Sequence, residues 1–211
     1  EPGIYKFRPT KGCSNESIGN IETSAVLWKS FGTSLIPAKE ELISATCFKE
    51  GYIAFEVPTD FKEGNAVIAA KDADGSVLWS WHIWLTDQPK EQVYKNNAGT
   101  MMDRNLGATS ATPGEVGALG LLYQWGRKDP FLGSSSISGS TPLSKSTITW
   151  PTSVCTSMST GTIEYATLHP TTFINCGGYE VNDSDWNYTG SAESNDSLWT
   201  TSKSTKSIYG P

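Results

Sequence analysis

The sequence predicts a mainly β protein, with an N-terminal immunoglobulin-like β-sandwich over residues 1–88 and a loop-rich α+β module over residues 89–211 that holds one clear helix at about 113–125. Three observations carry this reading. Short apolar runs recur through the first 88 residues at roughly ten-residue spacing, the rhythm of a sandwich. Turn residues separate those runs. No stretch of that region repeats with a helical period.

The elements follow in order. Residues 4–7 alternate apolar and polar side chains, and residues 25–28 are short and buried in character. Residues 42–48 and Tyr52–Val57 flank Lys49-Glu50-Gly51, a hairpin signal. A polar connection over 58–65 leads to a strand over 66–70, and Asp72-Ala73-Asp74-Gly75 turns the chain into Val77–Leu85. Glycine tolerates the positive φ that such a turn demands.

Alternation in Val77–Leu85 places Val77, Trp79, Trp81, Ile83 and Leu85 on one face and Leu78, Ser80, His82 and Trp84 on the other. Strict spacing assigns Trp79 and Trp81 to the sandwich core rather than to a sugar platform. Trp84, on the mixed face, is a candidate contact to the second module. His82 reads as a surface or interface histidine, since the only other histidine is His169.

Thr86-Asp87-Gln88-Pro89 ends the strand and opens a polar connection through Thr100, after which residues 101–107 read as a short strand entering a turn. Thr112-Pro113-Gly114-Glu115 then predicts a helix start, with threonine capping, proline at the first position and glutamate returning to the cap. Val116, Leu119, Leu122, Tyr123 and Trp125 carry that helix to Gly126, and Gly117, Ala118 and Gly120 imply close packing. From Leu132 onward 31 of 80 residues are serine or threonine and nine are charged, a loop-rich composition with residues 133–140 as its mobile part. Residues 148–151, 162–168 and 171–174 hold enough apolar side chains to anchor it.

Two candidate sites lie late in the chain. Trp186, Tyr188 and Trp199 stand among asparagines, aspartates and serines, a mixture that suits stacking and hydrogen bonding to a glycan; the competing reading has them anchoring the module to its core. Asp183, Asp185 and Asn187 open like a calcium loop, but Tyr188 replaces the required glycine and Ser194 the closing glutamate, which favours a polar turn. No cofactor is implied.

Charge and motifs narrow the function further. A net charge of -6 without long like-charge runs argues against a nucleic-acid partner, and no apolar run is long enough for a membrane span. Cys13, Cys47, Cys155 and Cys176 form no C-x-x-C pair; Cys47 reads as a small buried thiol, and bridges 13–47 and 155–176 remain open. No nucleophile elbow, phosphate-binding glycine loop or nominated carboxylate pair is present, so the chain is read as non-catalytic. Glu1-Pro2-Gly3 reads as an internal start, with any export signal removed or outside this segment.

The strings Met102-Asp103-Arg104-Asn105-Leu106-Gly107-Ala108 and Gly117-Ala118-Leu119-Gly120-Leu121-Leu122-Tyr123-Gln124-Trp125-Gly126-Arg127-Lys128-Asp129-Pro130-Phe131, with 79–84 and 169–174, resemble Bacteroides-type fimbrillin-like and cell-adhesion surface proteins. These carry a module similar to the Fibrobacter succinogenes major paralogous domain. The resemblance implies an exported protein, anchored at the outer membrane or built into fimbriae, with other fimbrial or surface proteins, or host or dietary glycans, as partners. It implies no catalytic residue. A surface glycan-binding module is the alternative. The family's Cys-Pro-rich and Gly-Trp-Arg-Val-Pro stretches do not follow Ser207-Ile208-Tyr209, so the second module is expected to lack its C-terminal strands.

Overall fold

Tyr52–Val57 and Val77–Leu85 form strands with the bounds their alternation predicts, and the rest of the architecture is built around them. A computed structural model describes residues 1–12, 14–133, 144–175, 185–188 and 198. Six strands come from the first 85 residues: β1 (Gly3–Phe7), β2 (Thr23–Ser30), β3 (Ala45–Lys49), β4 (Tyr52–Val57), β5 (Gly64–Lys71) and β6 (Val77–Leu85). They make two antiparallel sheets, ordered β1-β4-β3 and β2-β5-β6. The chain is mainly β, consistent with an immunoglobulin-like sandwich.

Both hairpin turns form as their residues require. Glu50 and Gly51 have φ of 53° and 78°, the left-handed pair of a tight hairpin between β3 and β4. In the second turn, Asp72 Oδ1 accepts from the amides of Asp74 and Ser76, and Gly75 has φ of 80°.

Between the sheets, Ile53, Phe55 and Val57 of β4 meet Ala66, Ile68 and Ala70 of β5 in one buried cluster. Trp79, Trp81 and Ile83 are the β6 partners of Ala70, Ile68 and Ala66, so they share that face. Phe7 meets Trp81 edge-on at 5.1 Å and Tyr5 stacks on Phe55 at 5.6 Å. The cluster continues into Ala166, Ile174, Trp186 and Leu198.

Four expectations are corrected. Leu42 and Ile43 precede β3 rather than belonging to it: Leu42 has φ of 66°, a left-handed turn that no strand accommodates. The polar connection after Pro89 folds as a hairpin, β7 (Glu91–Val93) with β8 (Thr100–Met102), turned by Asn96, Asn97 and Gly99 at positive φ. Cys47 is exposed, because β3 turns Ala45, Cys47 and Lys49 to solvent.

The helix at 113–125 does not form. Gly114, Gly120 and Gly126 have φ of 87°, 71° and 70°, each incompatible with a right-handed helix. A 3-10 turn over Val116–Ala118 and β9 (Leu121–Tyr123) occupy the stretch, and β9 pairs with β10 (Pro130–Leu132). Its glycines do serve close approach: a Cβ on Gly117 would stand 2.8 Å from Thr109 Oγ1. Among the described residues the α-helix is α1 (Ile163–Leu168), capped by Thr162 Oγ1 accepting from the Tyr165 amide, and it packs beside β6. β11 (Val154–Cys155) and β12 (Ile174–Asn175) form a short parallel pair.

Candidate functional site

Edge strands decide where a sandwich is open. On one side β2 and β3 are the outer strands of their sheets, and between them lies a groove of about 500 Å³ lined by Val26, Ile36, Pro37, Ile43, Ala45 and Thr147, among others. The size is that of a small-ligand or peptide side-chain site. Ser24 Oγ and Thr46 Oγ1, 3.0 Å apart, tie the two sheets together. The outer wall is exposed: Leu35 and Ile36 keep 68% and 57% of their surface in solvent.

The edge of β2 already takes an added segment. The Thr147 amide donates to Lys29 O at 3.0 Å, the Lys29 amide to Thr147 Oγ1 at 3.0 Å, and the Lys145 amide to Thr33 O at 2.8 Å. Ser30 Oγ donates to Lys145 O. Thr147 also lines the groove. Sequence reading gave no signal for the groove, because no single strand pattern records which edges end up adjacent.

The second face of β2-β5-β6 is covered as well, by residues that follow β8. Asn65 Nδ2 donates to Gly107 O at 2.8 Å, leaving its Oδ1 to accept from His82 Nε2 at 2.9 Å. That fixes the proton on Nε2 and makes Nδ1 the acceptor of the Tyr123 hydroxyl at 3.0 Å. Burial pushes His82 down to about 4 and raises Tyr123, with Asp129 adding to the latter. Trp84 Nε1 donates to Ala108 O at 3.1 Å, so that face of β6 contacts residues beyond 88. His82 is therefore half-buried where β6 meets the later chain, the interface half of its expected surface-or-interface placement.

One cluster has the elements of a nucleophile and a base. Ser80 Oγ donates to Asp129 Oδ1 at 2.6 Å, and Lys128 Nζ lies 2.5 Å from Ser80 Oγ and 2.7 Å from Asp129 Oδ1. Burial lowers the Lys128 ammonium, opposed by Asp129. Yet Ser80 and Asp129 are 3% and 2% exposed, which closes the hydroxyl to a substrate. The geometry fits an interior tie, with the ammonium 4.8 Å from the Trp79 ring centre.

The expected glycan residues are separated by burial. Trp186 is 2% exposed: its Nε1 donates to Trp125 O at 2.7 Å, and the Arg127 guanidinium lies 5.8 Å from its ring. A ring so enclosed fits the anchoring reading of Trp186. Tyr188 keeps 36% of its surface, and Trp199 lies outside the described residues. Of the expected metal ligands, Asp183 lies outside them too. Asp185 Oδ1 accepts from the Asn187 amide and Asn187 Nδ2 donates to Gly161 O, the polar turn. Among the described residues no group of three or more histidines, cysteines or carboxylates could hold a metal ion, and no helix is long and apolar enough to cross a membrane. Cys47 and Cys155 are free thiols, while Cys13 and Cys176, and residues 134–140 of the expected mobile loop, lie outside the described residues.

No protein-family model matches the chain, and no curated protein or solved structure matches it either.

Proposed function

We propose that the protein is an exported, non-catalytic surface component, acting in adhesion or within fimbriae, that takes an extended segment of a neighbouring surface protein along the edge between β2 and β3. The groove carries this reading. It presents Val26, Ile36, Pro37, Ile43 and Ala45, opens between two sheet edges, and adjoins an edge where Lys145 and Thr147 already hydrogen-bond to the β2 end of the chain. Strand addition draws its affinity from main-chain bonds and its specificity from pockets for alternate side chains, and the groove has the size of such a pocket. The resemblance of residues 102–108 and 117–131 to fimbrillin-like and adhesion proteins supports the same direction.

The test places p-benzoylphenylalanine at position 36, on the exposed wall, in cells that express the chain. The expected result is one discrete photo-adduct in which the linked residue lies in an extended apolar stretch of a surface protein. A chain that antibodies reach on intact cells but that forms no adduct from position 36 overturns the groove reading. A chain that antibodies cannot reach overturns export. A glycan-array signal lost on Tyr188→Ala would transfer the function to sugar binding.

A further inference from the structure

Lysine is costly on the inward face of a sandwich strand, because its ammonium must leave water. Lys29 occupies such a place. It pairs with Ala66 across the sheet, shares that inner face, and is 5% exposed. Its Nζ is surrounded by four backbone carbonyls: Ala38 at 3.1 Å, Lys39 at 2.5 Å, Glu41 at 2.7 Å and Ile43 at 3.2 Å. An ammonium has three hydrogens, so they are shared among four oxygens, much as a bare cation would be held.

Of these residues Lys39 and Ile43 line the groove, as does Lys29 itself. The segment from Ala38 to Ile43 is neither helix nor strand. Its own backbone bonds are Glu41 N to Ala38 O and Ile43 N to Glu41 O. Glu41 Oε2 accepts from the Ala38 amide, Lys62 pairs with Glu41, and Leu42 is wound into a left-handed conformation beneath Gly64. Ile36, Pro37 and Lys39, just before and within this segment, line the groove.

We infer that Lys29 is the positioning residue of the groove: its ammonium, held by the carbonyls of residues 38, 39, 41 and 43, fixes the wall in the shape that keeps the groove open. The inference rests on the reading of the groove as a binding site. It predicts that a cation, and not merely a filled volume, is required at this point.

Lys29→Ala removes the ammonium and leaves room for n-propylammonium. Hydrogen exchange should accelerate at least tenfold at the amides of residues 38–44 while β5 amides keep their protection. Millimolar n-propylammonium should restore the slow exchange, and 1-propanol of the same size should not. Lys29→Met, which keeps the stem and its packing, should show the same acceleration if Lys29→Ala fails to fold, and the adduct from position 36 should fall at least tenfold. Unchanged exchange, equal rescue by 1-propanol, or loss of β5 protection together with the wall would each overturn the inference. Exchange reads the clamp with no partner present, so its failure is distinguishable from a failed adduct in the unsubstituted chain.

Discussion

The two faces of the β2-β5-β6 sheet are both buried, but by opposite means. One meets the β1-β4-β3 sheet through Ala66, Ile68, Ala70, Trp79 and Trp81. The other meets the later chain through Asn65, Ser80, His82 and Trp84, each hydrogen-bonded to a residue beyond 100 or to another member of the set. The first face is non-directional and tolerates repacking. The second is directional: each donor has one acceptor, and a single loss strands a buried polar group.

The largest test falls on the far end of the polar side. Arg127 is fully buried and donates to Gln124 Oε1, Thr172 O and His169 O, with its Nε 3.8 Å from Asp129 Oδ2. Arg127→Ala leaves two carbonyls and a carboxylate without that cation, so stability in urea should fall by about 3–5 kcal/mol. On the apolar face, Ile68→Ala should cost about 2–5 kcal/mol through its cavity. If Arg127→Ala cost less than about 1 kcal/mol, the contrast between the two faces would be wrong.

The polar seam also predicts a pH effect that the apolar face lacks. Folded His82 titrates at about 4, against an ordinary value of 6.5 in the unfolded chain. Above pH 6.5 neither state carries the proton and nothing is lost. As pH falls towards 4 the unfolded state binds a proton that the folded state refuses, so stability drops, and the loss saturates at about 3 kcal/mol. Other groups titrate in the same window, so the measurement is the difference from His82→Gln. The stability gap between the two chains should narrow by about 3 kcal/mol between pH 7 and pH 4; a constant gap would place His82 in contact with water.

The sandwich was legible in the sequence because its information is local. Alternation in Tyr52–Val57 and Val77–Leu85, and the turn chemistry of Gly51 and Gly75, are complete within a few residues. The polar seam was not. Ser80 and His82 alternate with tryptophans as solvated residues would, and only Gly107, Tyr123 and Asp129, far along the chain, reveal that face as interior. The glycines at 114, 120 and 126 misled for a related reason: residue type marks close packing and positive φ alike, and here φ decides. The groove was illegible altogether, because Lys29 as a buried ammonium depends on four carbonyls rather than on any side chain.

A smaller effect sharpens the seam itself. Asn65 and His82 share one hydrogen bond, and each has a second partner, Gly107 O and the Tyr123 hydroxyl. Removing both should be cheaper than the sum of the two removals, since the second loss strands less. A double-mutant cycle with Asn65→Ala and His82→Ala should give a coupling of about 1 kcal/mol. Additivity within about 0.3 kcal/mol would mean that the two residues act separately.

The smallest effect tests the outer face of the β1-β4-β3 sheet, which is open to water at β3. On β3, Ala45, Cys47 and Lys49 are exposed, and Cys47 lies opposite Ala54 with Lys6 on the far side of β4. Cys47→Ser should change stability by no more than about 0.5 kcal/mol, as surface substitutions do. A thiol reagent should modify Cys47 in the native chain without unfolding it. Its alternation is no clearer than that of Ser80 on β6, yet it faces water and Ser80 does not. The difference lies in what later chain covers, so a large cost at Cys47 would mean that this face, too, is covered by a partner segment, and the comparison would then hold three buried faces instead of two.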